Sequence, residues 1–185
     1  MKAENNTSFE DLYVLYYSRM KRFAKEYVLL EEDAENIVHD VFTDLWERWD
    51  VLSSHNNLFA FLFLSLKNKC IDFLRHKATV QKVESATIEE YQLALRVNYY
   101  SLESFDQNLF TEKDIETIIN KALDHLPEQC RKIFVKNKIE GKKQKEIAEE
   151  LNISVNTVEN QMAIAYKKLR KELKDLLPLF LFLLS

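Results

Sequence analysis

The chain has 185 residues, of which 26 are basic and 30 acidic, and its formal net charge is −4. It contains one glycine and two prolines. Tight turns between strands need glycine, proline or Asn-Gly pairs, so this composition argues against a many-stranded sheet. It also excludes glycine-rich phosphate and dinucleotide loops, which need several glycines. The composition therefore predicts an all-α protein.

The cysteines and histidines give no metal-ligand spacing, because the two cysteines and four histidines are scattered along the chain. We expect no metal, no cofactor and two free thiols in a reducing compartment. Residues 1–13 lack the apolar core of a signal peptide, which favours a cytoplasmic protein. Residues 176–185, LLPLFLFLLS, are too few to span a bilayer, which needs about 20 apolar residues. This tail should dock on the chain itself, on a partner or on a membrane surface.

The charge is unevenly distributed along the chain. Residues 1–50 carry a net charge of −6 and residues 83–128 a net charge of −7, whereas residues 67–82 carry +4 and residues 129–174 carry +6. Affinity for phosphates comes from local clusters of Lys and Arg. The two basic segments therefore favour nucleic-acid binding in spite of the acidic total.

The first part of the chain predicts three helices. Apolar residues recur at helical spacing over residues 8–28, 32–49 and 58–77. Ser8 and Asp11 stand in the positions of a capping box, which marks the start of the first helix.

The second of these helices carries more apolar surface than one core needs. Its apolar residues cover about half of the circumference, whereas a stripe of about 100° is enough to face one core. The surplus lies at an edge with Phe42, Trp46 and Trp49. Either another helix covers this edge, or it is an exposed aromatic surface for a partner.

The third helix is apolar on all sides in its first half and becomes basic in its second half, KNKCIDFLRHK. There Asp72 and Arg75 are spaced to form an ion pair. Residues 78–113 are acidic and weakly periodic, which predicts a linker with one short helix at residues 88–97. The aromatic residues of this segment should dock on a domain or on a partner.

The second part of the chain predicts helices that end in a helix-turn-helix. Ala148 is small where two helices should cross, and Ser154 is suited to cap the last helix. These features fit a DNA-reading helix-turn-helix better than an arbitrary helical hairpin. The predicted helices are residues 114–125, 128–138, 144–151 and 155–173.

The last helix has a buried stripe and, by geometry, an opposite outer face. The stripe consists of Val158, Met162, Ala165 and Leu169. The residues that point directly away from it are Asn156, Asn160, Ala163 and Lys167, with Glu159 and Ile164 at their flanks. Asn can pair with adenine, Ala can contact a thymine methyl group and Glu can accept from cytosine, so this face could read DNA.

Three motifs give the chain a resemblance to a known family. They are DAENIVHDVFTDLW at residues 33–46, LKNKCIDFLR at residues 66–75, and the segment from LPEQ to Leu169-Arg170 at residues 126–170. In this order and spacing they resemble a bacterial RNA polymerase sigma factor of the sigma-70 family, extracytoplasmic-function (ECF) branch. The resemblance implies a promoter-specificity subunit that binds core RNA polymerase, directs initiation at −35/−10 promoters and melts the −10 region by base capture.

The resemblance also assigns residues to three surfaces. It implies core-polymerase contacts by Asp40, Phe42, Asp44 and Trp46. It implies −10 DNA contacts by Ser54, His55, Asn56, Lys67, Asn68, Lys69, Arg75 and Lys77. It implies −35 DNA contacts by Lys143, Ser154, Asn156, Thr157, Glu159, Asn160, Ala163 and Lys167.

The implied architecture is two small helical domains joined by an acidic linker. The implied partners are core RNA polymerase, through the clamp helices of its largest subunit and its flap, promoter DNA, and a separate anti-sigma protein or membrane regulator. No small-molecule substrate is expected. The domains are a polymerase-binding and −10 domain at 1–77, a linker at 78–113, a −35 domain at 114–175 and an apolar tail at 176–185.

Two other functions fit the same residues. A one-component regulator would use residues 8–77 for ligand binding or dimerisation and would bind DNA without polymerase. A helical interaction module would show no salt-dependent DNA binding. An enzyme is disfavoured, because the sequence offers no Cys-His pair, no phosphate loop and no paired carboxylates in a pocket-like context.

Overall fold

The computed structural model describes residues 8–52, 58–80, 89–103 and 111–184. Within these ranges the chain has ten α-helices and no strand, so the all-α prediction is confirmed. The helices are α1 (Phe9–Tyr27), α2 (Glu31–Glu47), α3 (Trp49–Leu52), α4 (Leu58–Val80), α5 (Glu89–Glu103), α6 (Glu112–Asp124), α7 (Glu128–Lys138), α8 (Gln144–Leu151), α9 (Val155–Glu172) and α10 (Leu177–Leu184). None of the described helices is long and apolar enough to cross a membrane.

The chain divides into two compact units, of which the first extends to Glu112 and the second is Lys113–Leu184. In the first unit α1, α2 and α4 pack against one another. Phe23 of α1 and Phe63 of α4 are fully buried, with their ring centroids 6.1 Å apart in an edge-to-face arrangement. Burial of each such side chain contributes about 1.5–3 kcal/mol. The core is completed by residues such as Leu12, Met20, Val38, Val41, Leu45, Leu62 and Leu66.

The start of α1 has the predicted capping box. The Ser8 hydroxyl oxygen accepts a hydrogen bond from the Asp11 amide at 3.1 Å, and the Ser8 amide donates to the Asp11 carboxylate at 3.3 Å. These bonds satisfy amide groups that the first turn of a helix leaves without an intrahelical acceptor.

The acidic segment after α4 contains a longer and better anchored helix than the sequence predicts. α5 packs against α4 and α1, and it buries Leu95 and Leu102. The Asn98 side-chain amide donates to the Tyr27 carbonyl at the end of α1 at 2.8 Å. These contacts place α5 in the first unit, although the weak periodicity of its sequence was interpreted as a linker.

The second unit is organised around α7, α8 and α9, which pack pairwise. The turn between α8 and α9 contains Asn152 in the left-handed region, with φ 51° and ψ 48°. Asn adopts this conformation more readily than most residues. The Ser154 hydroxyl then accepts from the Thr157 amide at 3.0 Å, so the predicted N-cap of α9 is present.

The apolar tail forms α10 and is buried in the chain. Leu179, Phe182 and Leu183 are at most 3% exposed. The Lys138 ammonium group donates to the Leu184 carbonyl at 2.5 Å, which satisfies one of the free carbonyl groups at the end of the helix. The tail therefore docks on the chain itself, which is the first of the three alternatives that the sequence leaves open.

Candidate nucleic-acid interface

The outer face of α9 presents the residues that its periodicity predicts. Asn156, Glu159, Asn160, Ala163 and Lys167 are all exposed. The opposite stripe of Val158, Met162, Ala165 and Leu169 is at most 2% exposed. The packing of α9 on α7 and α8 therefore buries this stripe and leaves the opposite, mainly polar face exposed.

Two of the predicted −35 contacts are engaged in the local structure at the start of α9. The Ser154 and Thr157 hydroxyl oxygens lie 2.8 Å apart, and Ser154 also caps the helix. Thr157 is half-buried, whereas Ser154 is exposed. Lys143, just before α8, is exposed, and its amide donates to the Glu146 carboxylate at 2.8 Å.

An ion-pair cluster that the sequence does not predict joins α7, α8 and the connection between them. Glu150 of α8 accepts from Lys136 of α7 at 2.6 Å and from Lys142 at 2.7 Å. The hydrogen bonds from these two ammonium groups lower the pKa of Glu150 to about 2. These residues lie on α7, on α8 and on the connection between them. Their proximity depends on how the two helices pack and not on a helical period, so the sequence pattern does not predict it.

The aromatic edge of α2 is divided between core and surface. Phe42 is only 3% exposed, because Phe9 and Tyr13 of α1 cover it at ring-centroid distances of 6.1 and 4.6 Å. For Phe42 the structure therefore shows the first of the two alternatives, in which another helix covers the edge. Trp46 stays 59% exposed although its ring also contacts Phe9. Trp49 is half-buried.

The two acidic residues predicted to contact polymerase differ in their surroundings. Asp40 is exposed on α2. Asp44 forms an ion pair with Lys69 of α4, with the carboxylate oxygen 2.9 Å from the ammonium nitrogen. A predicted polymerase contact and a predicted −10 DNA contact thus meet in one pair.

Lys67 does not lie where the sequence analysis placed it. The residue is fully buried, so the structure does not present it to a DNA strand. The reason is its position on α4, where it shares the inner face with Phe63, Ile71 and Leu74. Lys67 stands at helical spacing from the buried Ile71 and Leu74, whereas its assignment to the −10 contacts comes only from the family resemblance.

The other predicted −10 contacts on α4 lie at or near the surface. Asn68 is exposed, and the predicted pair of Asp72 and Arg75 is confirmed at 3.1 Å. Lys77 lies 3.9 Å from Asp33 of α2. The remaining predicted −10 contacts, Ser54, His55 and Asn56, lie outside the described residues.

The described residues contain no group of three or more His, Cys, Asp or Glu side chains that could hold a metal ion. Cys70 and Cys130 are both free and buried, as the prediction of free thiols requires. Burial raises the pKa of the Cys70 thiol to about 12, so this group stays protonated at neutral pH.

Comparison with known families matches both units. The family model for Sigma-70 region 2 matches residues 12–79, and the model for Sigma-70, region 4 matches residues 116–169. The first match spans α1 to α4, and the second includes α7, α8 and nearly all of α9.

Two curated proteins of Bacillus subtilis (strain 168) are similar to the chain over most of its length. RNA polymerase sigma factor SigV is 26% identical over 152 residues, which are 82% of this chain and 82% of SigV. ECF RNA polymerase sigma factor SigW is 21% identical over 176 residues, which are 95% of this chain and 94% of SigW. The chain therefore belongs to the sigma-70 family of RNA polymerase sigma factors, in its extracytoplasmic-function branch.

Proposed function

We propose that this sigma factor binds core RNA polymerase through α2 and directs initiation at promoters with −35 and −10 elements. The observation that carries the proposal is the polar outer face of α9, exposed opposite a buried stripe in a helix-turn-helix. The first unit, which matches Sigma-70 region 2, supplies the other half of such a promoter-reading subunit.

For the −35 element, α9 is proposed to enter the major groove with its outer face towards the bases. Asn156 and Asn160 suit adenine edges, and Glu159 can accept from a cytosine amino group. Lys143 and Lys167 are proposed to contact phosphates, and such contacts position the helix without reading sequence.

For the −10 element, the exposed Asn68 on α4 is proposed to contact a base extruded from the duplex. Ser54, His55 and Asn56 are proposed to complete the pocket. Extrusion of a base costs a few kcal/mol, which contacts to the base and to the strand backbone must supply. In this proposal the protein acts by binding alone and not as an enzyme.

For core polymerase, the proposed anchor is Trp46, the most exposed aromatic residue of the α2 edge at 59%. Exposed Trp side chains are frequent binding hot spots. The proposed contact is with the clamp helices of the largest subunit, with Asp40 and Asp44 beside it, while the second unit contacts the flap. The protein would act in the cytoplasm under the control of a separate anti-sigma protein or membrane regulator.

The test is run-off transcription with purified core polymerase on fragmented genomic DNA from the same organism, with and without the full chain. Discrete start sites that need the protein are expected, and their alignment gives both promoter elements. Trp46→Ala should raise the Kd for core polymerase about 30-fold, the effect of a hot spot of about 2 kcal/mol. Val14→Ala is the control, because Val14 is 80% exposed on α1 and has no proposed role.

Run-off transcription, together with a DNA footprint of the protein alone, distinguishes the other two functions. A footprint by the protein alone, without new start sites, would support a one-component regulator and contradict the proposal. The absence of both start sites and any footprint would support a helical interaction module.

A further inference from the structure

Three cationic residues that the family resemblance assigns to the −10 DNA contacts form ion pairs with acidic residues of the same unit. Each acidic residue forms an ion pair with a cationic group that would otherwise be available to a DNA phosphate. The pairs are Lys69 with Asp44 at 2.9 Å, Arg75 with Asp72 at 3.1 Å and Lys77 with Asp33 at 3.9 Å.

Arg75 also has partners on α5. Its guanidinium group is hydrogen-bonded to the Tyr99 hydroxyl, which in turn donates to the Glu103 carboxylate at 2.5 Å. Leu102, on the same helix, is fully buried and keeps α5 in place. The basic side of α4 is therefore neutralised from α2, from α4 itself and from α5.

The pair of Lys69 and Asp44 differs from the others in one respect. Asp44 lies on α2, two residues before Trp46, on the segment proposed to contact polymerase. The Lys69 and Asp44 side chains are 32% and 45% exposed. The pair is thus accessible, so that a cationic group of a partner protein can compete for Asp44 and a phosphate can compete for Lys69.

We propose that Asp44 couples the two binding surfaces of the first unit. In the free chain Asp44 holds Lys69. When α2 binds core polymerase, a basic side chain of the polymerase forms an ion pair with Asp44. Lys69 then loses its partner and binds a phosphate of the −10 strand. This inference rests on the proposed function. Coupling of this kind is reciprocal, so DNA bound at Lys69 also frees Asp44 for the polymerase.

The first test uses the free full-length chain and a short single-stranded DNA of mixed sequence, followed by fluorescence anisotropy at several salt concentrations. Asp44→Asn should tighten binding about twofold to fivefold relative to Glu10→Gln, since exposed ion pairs have effects of this size. Glu10→Gln is the matched control, because it removes the same charge at an exposed position of the same unit.

The salt dependence separates release of Lys69 from a general charge effect. One additional phosphate contact on a single strand steepens the plot of log K against log salt by about 0.7. Asp44→Asn should show this steeper slope, and the double variant Asp44→Asn with Lys69→Gln should lose it. An Asp44→Asn variant that binds no more tightly than Glu10→Gln overturns the proposal. Weaker binding also overturns it, because Asp44 would then orient Lys69 for DNA.

The second test compares Lys69→Gln in the free chain and in the complex with core polymerase. Little loss of single-strand affinity is expected in the free chain, where Asp44 already occupies Lys69, and a clear loss is expected in the complex. Equal losses in both states contradict the coupling. Failure of the wild-type chain to bind core polymerase would instead contradict the proposed function. The first test stays valid in that case, because it uses only the free chain and single-stranded DNA.

Discussion

Glu150 shows how single contacts fix the geometry of the second unit. Its carboxylate binds Lys136 of α7 and Lys142 of the connection between α7 and α8, and Lys136 also lies 3.7 Å from Glu140. The cluster links α8 to α7. It also engages Lys142, one of the lysines of the basic segment 129–174, in an ion pair with Glu150.

The acid stability of the protein should depend on Glu150. The pKa of Glu150 is lowered from 4.5 to about 2 in the folded chain. A lowered folded pKa means that the stabilisation is complete above the unfolded pKa and is lost as the pH falls towards the folded pKa. Glu150→Gln should therefore lower the Tm at neutral pH, and the difference from wild type should shrink between pH 4.5 and pH 2.

Thermal unfolding followed by circular dichroism across this pH range measures the effect. Glu149→Gln is the control, because Glu149 is the exposed neighbour on the same helix. A Tm difference for Glu150→Gln that stays constant with pH would contradict the assignment of the stabilisation to the carboxylate.

At the scale of elements, α5 is the clearest case of tertiary contacts deciding the role of a segment. Leu95 and Leu102 are at most 2% exposed, whereas Leu93 and Val97 of the same helix are 62% and 58% exposed. The helix thus has one face against α4 and α1 and another that faces solvent. Its exposed apolar residues blur the periodicity by which an amphipathic helix is recognised in a sequence.

The packing of α5 predicts a local loss of stability when one of its buried side chains is truncated. Leu102→Ala should destabilise the first unit by about 2–5 kcal/mol, the usual cost of deleting a buried leucine side chain. Hydrogen exchange should show faster exchange of the α5 amides first, because these contacts hold the helix. Leu93→Ala makes the same chemical change at an exposed position and should leave exchange in α5 nearly unchanged. Unaltered α5 exchange in Leu102→Ala would show that α5 does not depend on this contact.

At the scale of the molecule, the distribution of charge matters more than the total. The formal net charge is −4, yet residues 129–174 carry a net charge of +6 and include the whole of α8 and α9. Binding to phosphates responds to this local charge and falls as salt increases. The outer face of α9 adds groups that can distinguish bases, so affinity and specificity should depend on different residues.

Two substitutions on α9 should separate these contributions in the complex with core polymerase. Lys167→Gln should weaken binding to all promoters alike and reduce the slope of log K against log salt by about 0.9, as for one phosphate contact on duplex DNA. Asn160→Ala should leave that slope unchanged and cost about 1–3 kcal/mol at one base position. Binding to a set of promoters with single base changes measures both effects.

Lys121→Gln is the control for Lys167→Gln, because Lys121 is an exposed lysine on α6 of the same unit. Equal salt slopes for the two lysine variants would contradict a phosphate contact by Lys167. A uniform loss across all promoters for Asn160→Ala would contradict base reading by Asn160.

The sequence by itself determined the all-α class, the helix-turn-helix and the exposed face of α9. These features depend on local rules: helical periodicity sets which side of α9 is buried, and Ser154 caps it through the nearby Thr157 amide. The low glycine content argued against a many-stranded sheet for an equally local reason, because tight turns depend on a few residue types. The face proposed to read the −35 element could therefore be predicted without any tertiary contact.

Only the tertiary structure decided the contacts between residues that are distant in sequence. Phe42 is covered by Phe9, and Asp44 pairs with Lys69. The position of α5 likewise depends on Asn98 meeting the end of α1. The sequence gives each side chain its chemistry and its place on a helix, but the packing of one helix against another decides which side chains become neighbours.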